Sequence, residues 1–214
     1  MQSPNDSQLR EAVVEAFLVS TSAADDVAFL ALKDLSAVLG GGMLLAHAIA
    51  LASAWSYNVL LKATRLSIVP FLVSFGIFPS LATLSASDPA PAAPWATFAG
   101  AVLGAAVHLT NVLPDLDDDR RTGVRGLPHR LGAGASVLLA VTAIILAAVA
   151  VLAGSLAERA NPLGMILFAA VVIGVAVTVL IRMRRRGPDR TGFRLVMAAA
   201  LVLAAQLVAA TASA

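Results

Sequence analysis

The sequence predicts an all-α protein, a polytopic bundle of membrane-spanning helices, and three observations carry that prediction. Of the 214 residues, 59% are hydrophobic and 13% charged, where an ordinary soluble domain holds roughly 45–50% and about 25%. Six runs almost free of charge approach the length of about 20 apolar residues that crosses a hydrocarbon layer about 30 Å thick. The basic residues gather in alternate connections between those runs, as they do in the cytoplasmic loops of membrane proteins. Aromatics make up only 5%, so the apolar excess is Ala, Val and Leu. Such a composition excludes a soluble enzyme, a disordered chain and a fibrous repeat. The chain has no cysteine, which removes disulfides, thiolate metal sites and cysteine nucleophiles. Nucleic acid is not an expected partner for so apolar a chain with a net charge of +2.

The elements follow in order. In residues 1–35 the apolar positions are interrupted by Glu11, Glu15, Asp25, Asp26, Lys33 and Asp34. This stretch reads as a charged amphipathic N-terminal segment of one or two helices and is a poor span, with the seventh crossing left open. It lacks the basic start, apolar middle and small-residue cleavage site of a signal peptide. Residues 36–214 form the transmembrane domain, with spans at 36–55, 67–84, 95–113, 132–154, 162–181 and 193–212. The second carries Pro70 and Pro79 and is expected to kink, because proline withholds an N–H and crowds the preceding turn. The proline-rich connection at 85–94 suits a stiff extramembrane turn.

Orientation comes from Lys and Arg. Lys62, Arg65, Arg120, Arg121, Arg125, Arg130, Arg182, Arg184, Arg185, Arg186, Arg190 and Arg194 fall on one side, and the opposite loops hold only Arg159. The connections 56–66, 114–131 and 182–192 are therefore expected together in the cytoplasm, below a bacterial plasma membrane.

The richest segment follows the third span. Asp115, Asp117, Asp118 and Asp119 put four carboxylates within five residues, preceded by Asn111 and His108. Residues four apart on a helix lie about 40° from each other, so Asn111, Asp115 and Asp119 would share a face. Such oxygens suit Mg2+, which takes one or two carboxylates and keeps waters and substrate phosphates as its other ligands. Pro114 interrupts that face, so Asn111 joins it only if the helix kinks, whereas the Asp115 and Asp119 pair stands regardless. Against this stands a solvated acidic loop neutralised by Arg120, Arg121 and Arg125. His108 reads first as a hydrogen-bonded packing residue and second as a ligand or base, and His47 likewise as packing. His129 would meet phosphate or lie in solvent. Arg65 reads as an interfacial anchor. Lys62 is a point charge suited to complete a diphosphate site beside a magnesium-loaded carboxylate cluster.

The block Asn111-x-x-x-Asp115-x-x-x-Asp119-Arg-x-x-Gly123-x-Arg125-Gly-Leu127-Pro128-x-Arg130 resembles the second aspartate-rich motif of the UbiA family of integral-membrane prenyltransferases. The upstream Tyr57-Asn58-x-x-x-Lys62-x-Thr64-x-x-Ser67-x-x-Pro70 is similar to the segment after that family's fourth helix, particularly in actinobacterial members. The resemblance implies a UbiA-like helical bundle around a cavity. It implies Mg2+-dependent transfer of a prenyl group from an isoprenoid diphosphate to a lipophilic, typically aromatic acceptor within the bilayer, with quinone, haem and lipid-carrier types all compatible. It also assigns roles. Asp115 and Asp119 would be metal ligands and catalytic, supported by Asn111, while Asp117 and Asp118 lie off the repeat. Lys62, also counted as catalytic, would contact the diphosphate with Tyr57 and Asn58. Arg125 and Arg130 would cover the phosphates or position the loop. The family's first motif, Asn-Asp-x-x-Asp-x-x-x-Asp, has no counterpart: the sole Asn-Asp is Asn5-Asp6, with Leu9 and Val13 where aspartates are expected. The expectation is thus a member lacking the first N-terminal spans and motif. Two other readings compete with transfer: a related terpene cyclase, in which the cation closes on its own chain, and an inactive fragment or non-enzymatic membrane protein.

Overall fold

The computed structural model of the protein describes residues 40–116, 119, 125–157 and 162–186, together with positions 191, 194, 195, 198, 199 and 202. Segment 1–35, with the region where the first motif would lie, falls outside the described residues, as do Asp117, Asp118, Arg120 and Arg121 and most of the last expected span. Every regular element among the described residues is helical. Helix α1 spans Gly41–Ser56 and runs directly into a π-helical turn, Tyr57–Leu61. Helix α2 spans Val69–Thr83 and α3 spans Pro94–Asn111, followed by a 3-10 turn at Leu113–Asp115. Helix α4 spans Leu127–Ala157 and α5 spans Pro162–Arg186.

These elements match the apolar runs because a backbone in lipid must satisfy its polar groups within its own segment. Among the described residues three stretches are long and apolar enough to cross a membrane: Gly41–Leu61, Pro94–Asp115 and Leu127–Ala157. Helix α2 has 15 residues, about 22 Å at 1.5 Å per residue, and is shorter than the 67–84 span expected. Its N-terminal remainder is taken up by turns from Thr64 to Ile68. Pro70 stands in the first turn, where the missing N–H costs nothing, and Pro79 lies inside the helix. Residues 57–61, expected within a cytoplasmic connection, instead extend α1. The Lys62 N–H donates to the Tyr57 carbonyl at 2.8 Å, an i to i+5 bond that inserts an extra residue in the turn.

Helices α1 to α4 run antiparallel in succession, and small residues set how closely they approach. Between α2 and α3 the contacts Phe75 to Gly100, Phe71 to Gly104 and Ser67 to His108 step four residues at a time in opposite directions. A Cβ at Gly100 would overlap the Phe75 carbonyl, and one at Gly104 the Phe71 carbonyl. Gly100 and Gly104 thus form a G-x-x-x-G contact, which lets backbones meet where lipid supplies no hydrophobic drive between helices. Pro79 has no N–H to offer the Phe75 carbonyl four residues back, so that carbonyl faces the bare backbone at Gly100. Helices α1 and α2 are joined by hydroxyls: Ser53 donates to the Pro70 carbonyl at 2.9 Å and Ser74 to the Ala50 carbonyl at 3.4 Å. At the opposite end of the bundle the Trp95 indole of α3 lies on Gly154 of α4.

Helix α3 is the centre of the described bundle, with every residue from Leu103 to Thr110 buried. Along α4, Val137, Ala140, Val141, Ile144, Ala147, Ala148 and Val151 face the core, and Val172, Ala176 and Val179 of α5 complete the seam. The other side of α4 exposes Leu138, Leu139, Ile145, Leu146 and Val149. Both faces are apolar, so packing chose the buried one. Within α4, Gly132 takes φ 77° and ψ 166°, a left-handed backbone that favours glycine. It separates a short helical segment at 127–131 from the long helix, at the residue where the fourth span was expected to start.

Candidate functional site

The site lies where α1, the turns before α2, the end of α3 and the start of α4 meet. Its centre is Ser67, which is fully buried. The Leu127 N–H donates to Ser67 Oγ at 2.9 Å, and the same oxygen shares a hydrogen bond of 3.0 Å with His108 Nε2. One hydroxyl therefore ties together the α2 entry, α3 and the α4 start. Gly126 makes this approach possible: a Cβ there would stand 2.7 Å from the Lys62 carbonyl oxygen and 3.1 Å from Ser67 Oγ. Thr64 shapes the preceding turn, donating to the Leu61 carbonyl at 2.9 Å and accepting from the Leu66 N–H at 3.1 Å.

Around Ser67 stands an aromatic wall. The His108 and Phe71 ring centres are 4.6 Å apart, and Tyr57 meets both edge-on, at 5.9 Å from His108 and 5.2 Å from Phe71. Phe75 stacks behind Phe71 at 6.4 Å. The π turn carries Tyr57 at its first residue, half-buried, while Asn58 after it is exposed. His108 is 1% exposed, and its Nδ1 has no hydrogen-bond partner. The packing role expected for His108 is met by Ser67, a residue 41 positions away.

The acidic side enters through the 3-10 turn. Pro114 sits in its first turn, and the Asp115 N–H donates to the Val112 carbonyl at 3.1 Å. Leu113 and Leu116 are buried while Asn111 and Asp115 are exposed. The geometry expected around Pro114 is corrected accordingly: the α-helix ends at Asn111 and tightens, with Val112 and Leu116 still right-handed. A 3-10 turn advances about 120° per residue in place of about 100°, so Asn111 and Asp115 diverge more than on one continuous helix. Asp119 is partly buried, and His129 Nε2 donates to its Oδ2 at 3.1 Å. The His129 side chain is 4% exposed. His129 was expected on phosphate or in solvent, and it is neither solvated nor loose. The Asp119 carboxylate also lies within electrostatic reach of Tyr57, and His129 within reach of His108.

The structure thus gathers Tyr57, Ser67, His108, Asp119 and His129 at one end, with the Lys62 backbone against Gly126. The side chains of Lys62, Asn58, Asn111, Asp115 and Arg125 are exposed around it. Arg130 donates from Nε to the Arg125 carbonyl at 3.0 Å, so of its two expected roles the observed bond serves loop positioning. Sequence reasoning missed Ser67 as the node and His129 as the partner of Asp119. One signal was present: a histidine at membrane depth needs a partner, and a serine at the mouth of the neighbouring span can supply it.

Among the described residues no three His, Asp or Glu side chains converge as a ready metal cage. The donors nonetheless fit Mg2+, which needs only one or two carboxylates beside waters and phosphates. Asp115 and Asp119 are hard oxygen donors. A carboxylate accepts at about four positions, so the bond to His129 at Oδ2 does not exhaust Asp119.

The sequence matches the family described as the UbiA prenyltransferase family over residues 9–202, a stretch that takes in most of the charged N-terminal segment. No curated protein and no solved structure matches.

Proposed function

The chain belongs to the UbiA prenyltransferase family, and from that membership we propose that it transfers a prenyl group from an isoprenoid diphosphate to a lipophilic acceptor inside the membrane, with Mg2+ as cofactor. Among the described residues, three helices long and apolar enough to cross a membrane support its being an integral membrane protein. The observation that carries the proposal is the polar end where Ser67 joins His108 to the Leu127 backbone and His129 holds Asp119, with Tyr57 and the Lys62 turn beside them. That end also carries Arg125 and Arg130. The clustering of basic residues supports a cytoplasmic position for this end in a bacterial plasma membrane.

Asp115 and Asp119 would hold Mg2+, with Asn111 as a supporting oxygen. Bound there, Mg2+ supplies Lewis-acid stabilisation of the diphosphate leaving group. Lys62 is exposed at the same end, where its ammonium can reach diphosphate oxygens as a mobile point charge. Tyr57, with its ring edge-on to Phe71 and His108, orients its phenol at the boundary between the acidic turn and the aromatic wall. Phe71 and Phe75 continue that wall along α2 toward the membrane interior, an apolar surface that keeps water from the departing prenyl group. Ser67 and Gly126 keep the two sides in register.

Purified chain in lipid vesicles, given a radiolabelled prenyl diphosphate and an aromatic acceptor, should form labelled prenylated acceptor with Mg2+ and none with chelator. The Asp115→Asn, Asp119→Asn double variant should fall to background. Equal label from wild type and double variant refutes catalysis by these aspartates. Prenyl hydrocarbon formed without any acceptor identifies a cyclase instead.

A further inference from the structure

We propose that His129 is a positioning residue that fixes the Asp119 carboxylate for metal binding, an inference that rests on the reading of Asp119 as a magnesium ligand. A carboxylate on a single rotatable stem has several rotamers, and a ligand must present the right oxygen. His129 Nε2 holds Oδ2 at 3.1 Å from a side chain that is 4% exposed. The histidine is itself anchored. It stands two residues after Leu127, whose N–H is fastened to the fully buried Ser67, and next to the buried Pro128. On the other flank, Gly132 ends the short helical segment at a left-handed backbone, so that segment is oriented independently of the long helix. The neighbouring Arg130 serves a different contact, the Arg125 carbonyl.

The chain of support therefore runs from α3 through His108 to Ser67, to the Leu127 backbone, to His129 and to Asp119. It crosses from the aromatic wall to the acidic turn, so the distance between the prenyl-facing surface and the metal-facing carboxylate is set by buried groups. Groups that hydrogen-bond a metal-ligating side chain fix its orientation.

The test uses the full chain in detergent micelles and Mn2+ alone as the probe, its binding read by the loss of free-ion EPR signal. His129→Asn and His129→Gln are both neutral and polar, but only glutamine carries an N–H at the position of Nε2. Since loss of such a partner lowers metal affinity about 10–100-fold, the Asn variant should weaken Mn2+ binding by about that factor, and the Gln variant by less than about threefold. Equal affinities for wild type and the Asn variant, or equal losses in both variants, overturn the proposal. If the Asn variant does not fold by circular dichroism, a loss greater than about tenfold in the Gln variant overturns it. Asp119→Asn separates the two levels of the argument. Weakened binding in Asp119→Asn beside wild-type binding in His129→Asn defeats only the positioning role, whereas unchanged binding in Asp119→Asn defeats the metal assignment and the positioning role together.

Discussion

Replacing Ser67 with alanine removes one oxygen, yet that oxygen serves two partners. The Leu127 N–H, 2.9 Å away, loses its acceptor, and His108 Nε2, 3.0 Å away, loses the partner of a ring that is 1% exposed. Ser67 is itself fully buried, so water does not replace the hydroxyl. The change creates no cavity of consequence. Each buried polar group left unpaired costs about 1–3 kcal/mol, giving about 2–6 kcal/mol for the pair. At 1.4 kcal/mol per factor of ten, the unfolding constant rises between about thirtyfold and about twenty-thousandfold. Equilibrium unfolding by SDS in mixed micelles, followed by far-UV circular dichroism, measures it. Ser85→Ala is the control: its hydroxyl is exposed and donates only to Leu81 of the preceding turn, so it should stay within about 0.5 kcal/mol of wild type. A Ser67→Ala chain equally close to wild type would refute the reasoning that one buried hydroxyl joins three elements.

Four further outcomes are expected, in two pairs. Gly104→Ala should destabilise by about 1–3 kcal/mol or more in the same unfolding assay, because the new Cβ overlaps the Phe71 carbonyl and stands 2.7 Å from Phe75 Cβ. Gly134→Ala, in a helix with open space around it, should be neutral or stabilising by up to about 1 kcal/mol; similar effects at both sites would contradict the close approach of α2 and α3. Lys62→Ala should raise KM for the prenyl diphosphate by about tenfold or more, as a lost charge-assisted contact of about 1.5–3 kcal/mol implies, with little change in unfolding because the side chain is exposed. Arg65→Ala, read as an interfacial anchor, should leave KM within about twofold on the same reasoning.

Much of the fold was legible in the sequence, and for a local reason. The start of α3 beside Pro94 and the long apolar course expected at 132–154 follow from residue types whose effects act within a turn or two, whereas the helical segment before Gly132 was not foreseen. The acidic turn was legible as well, since Asp115 and Asp119 announce themselves by charge. Less legible was which of several polar groups would meet. His108 had a nearer prospective partner in Asn111, one turn away, but Asn111 points outward and the ring turns to Ser67. His129 lay between Pro128 and Arg130 with nothing local to distinguish phosphate, solvent and carboxylate as its partner.

By itself, then, the sequence determined the class, the main helices and the candidate metal-binding carboxylates, because lipid forces each span to satisfy its own backbone and leaves charge only at the ends. Tertiary structure decided the facing and the partners. On α4 the buried Ile144 and the exposed Ile145 are chemically identical, so no hydropathy pattern separates them. The Ser67 bonds link residues 41 and 60 positions apart, and the glycines that permit the approach act only once a neighbouring backbone arrives. Close packing of antiparallel helices brings those groups together at one end of the bundle.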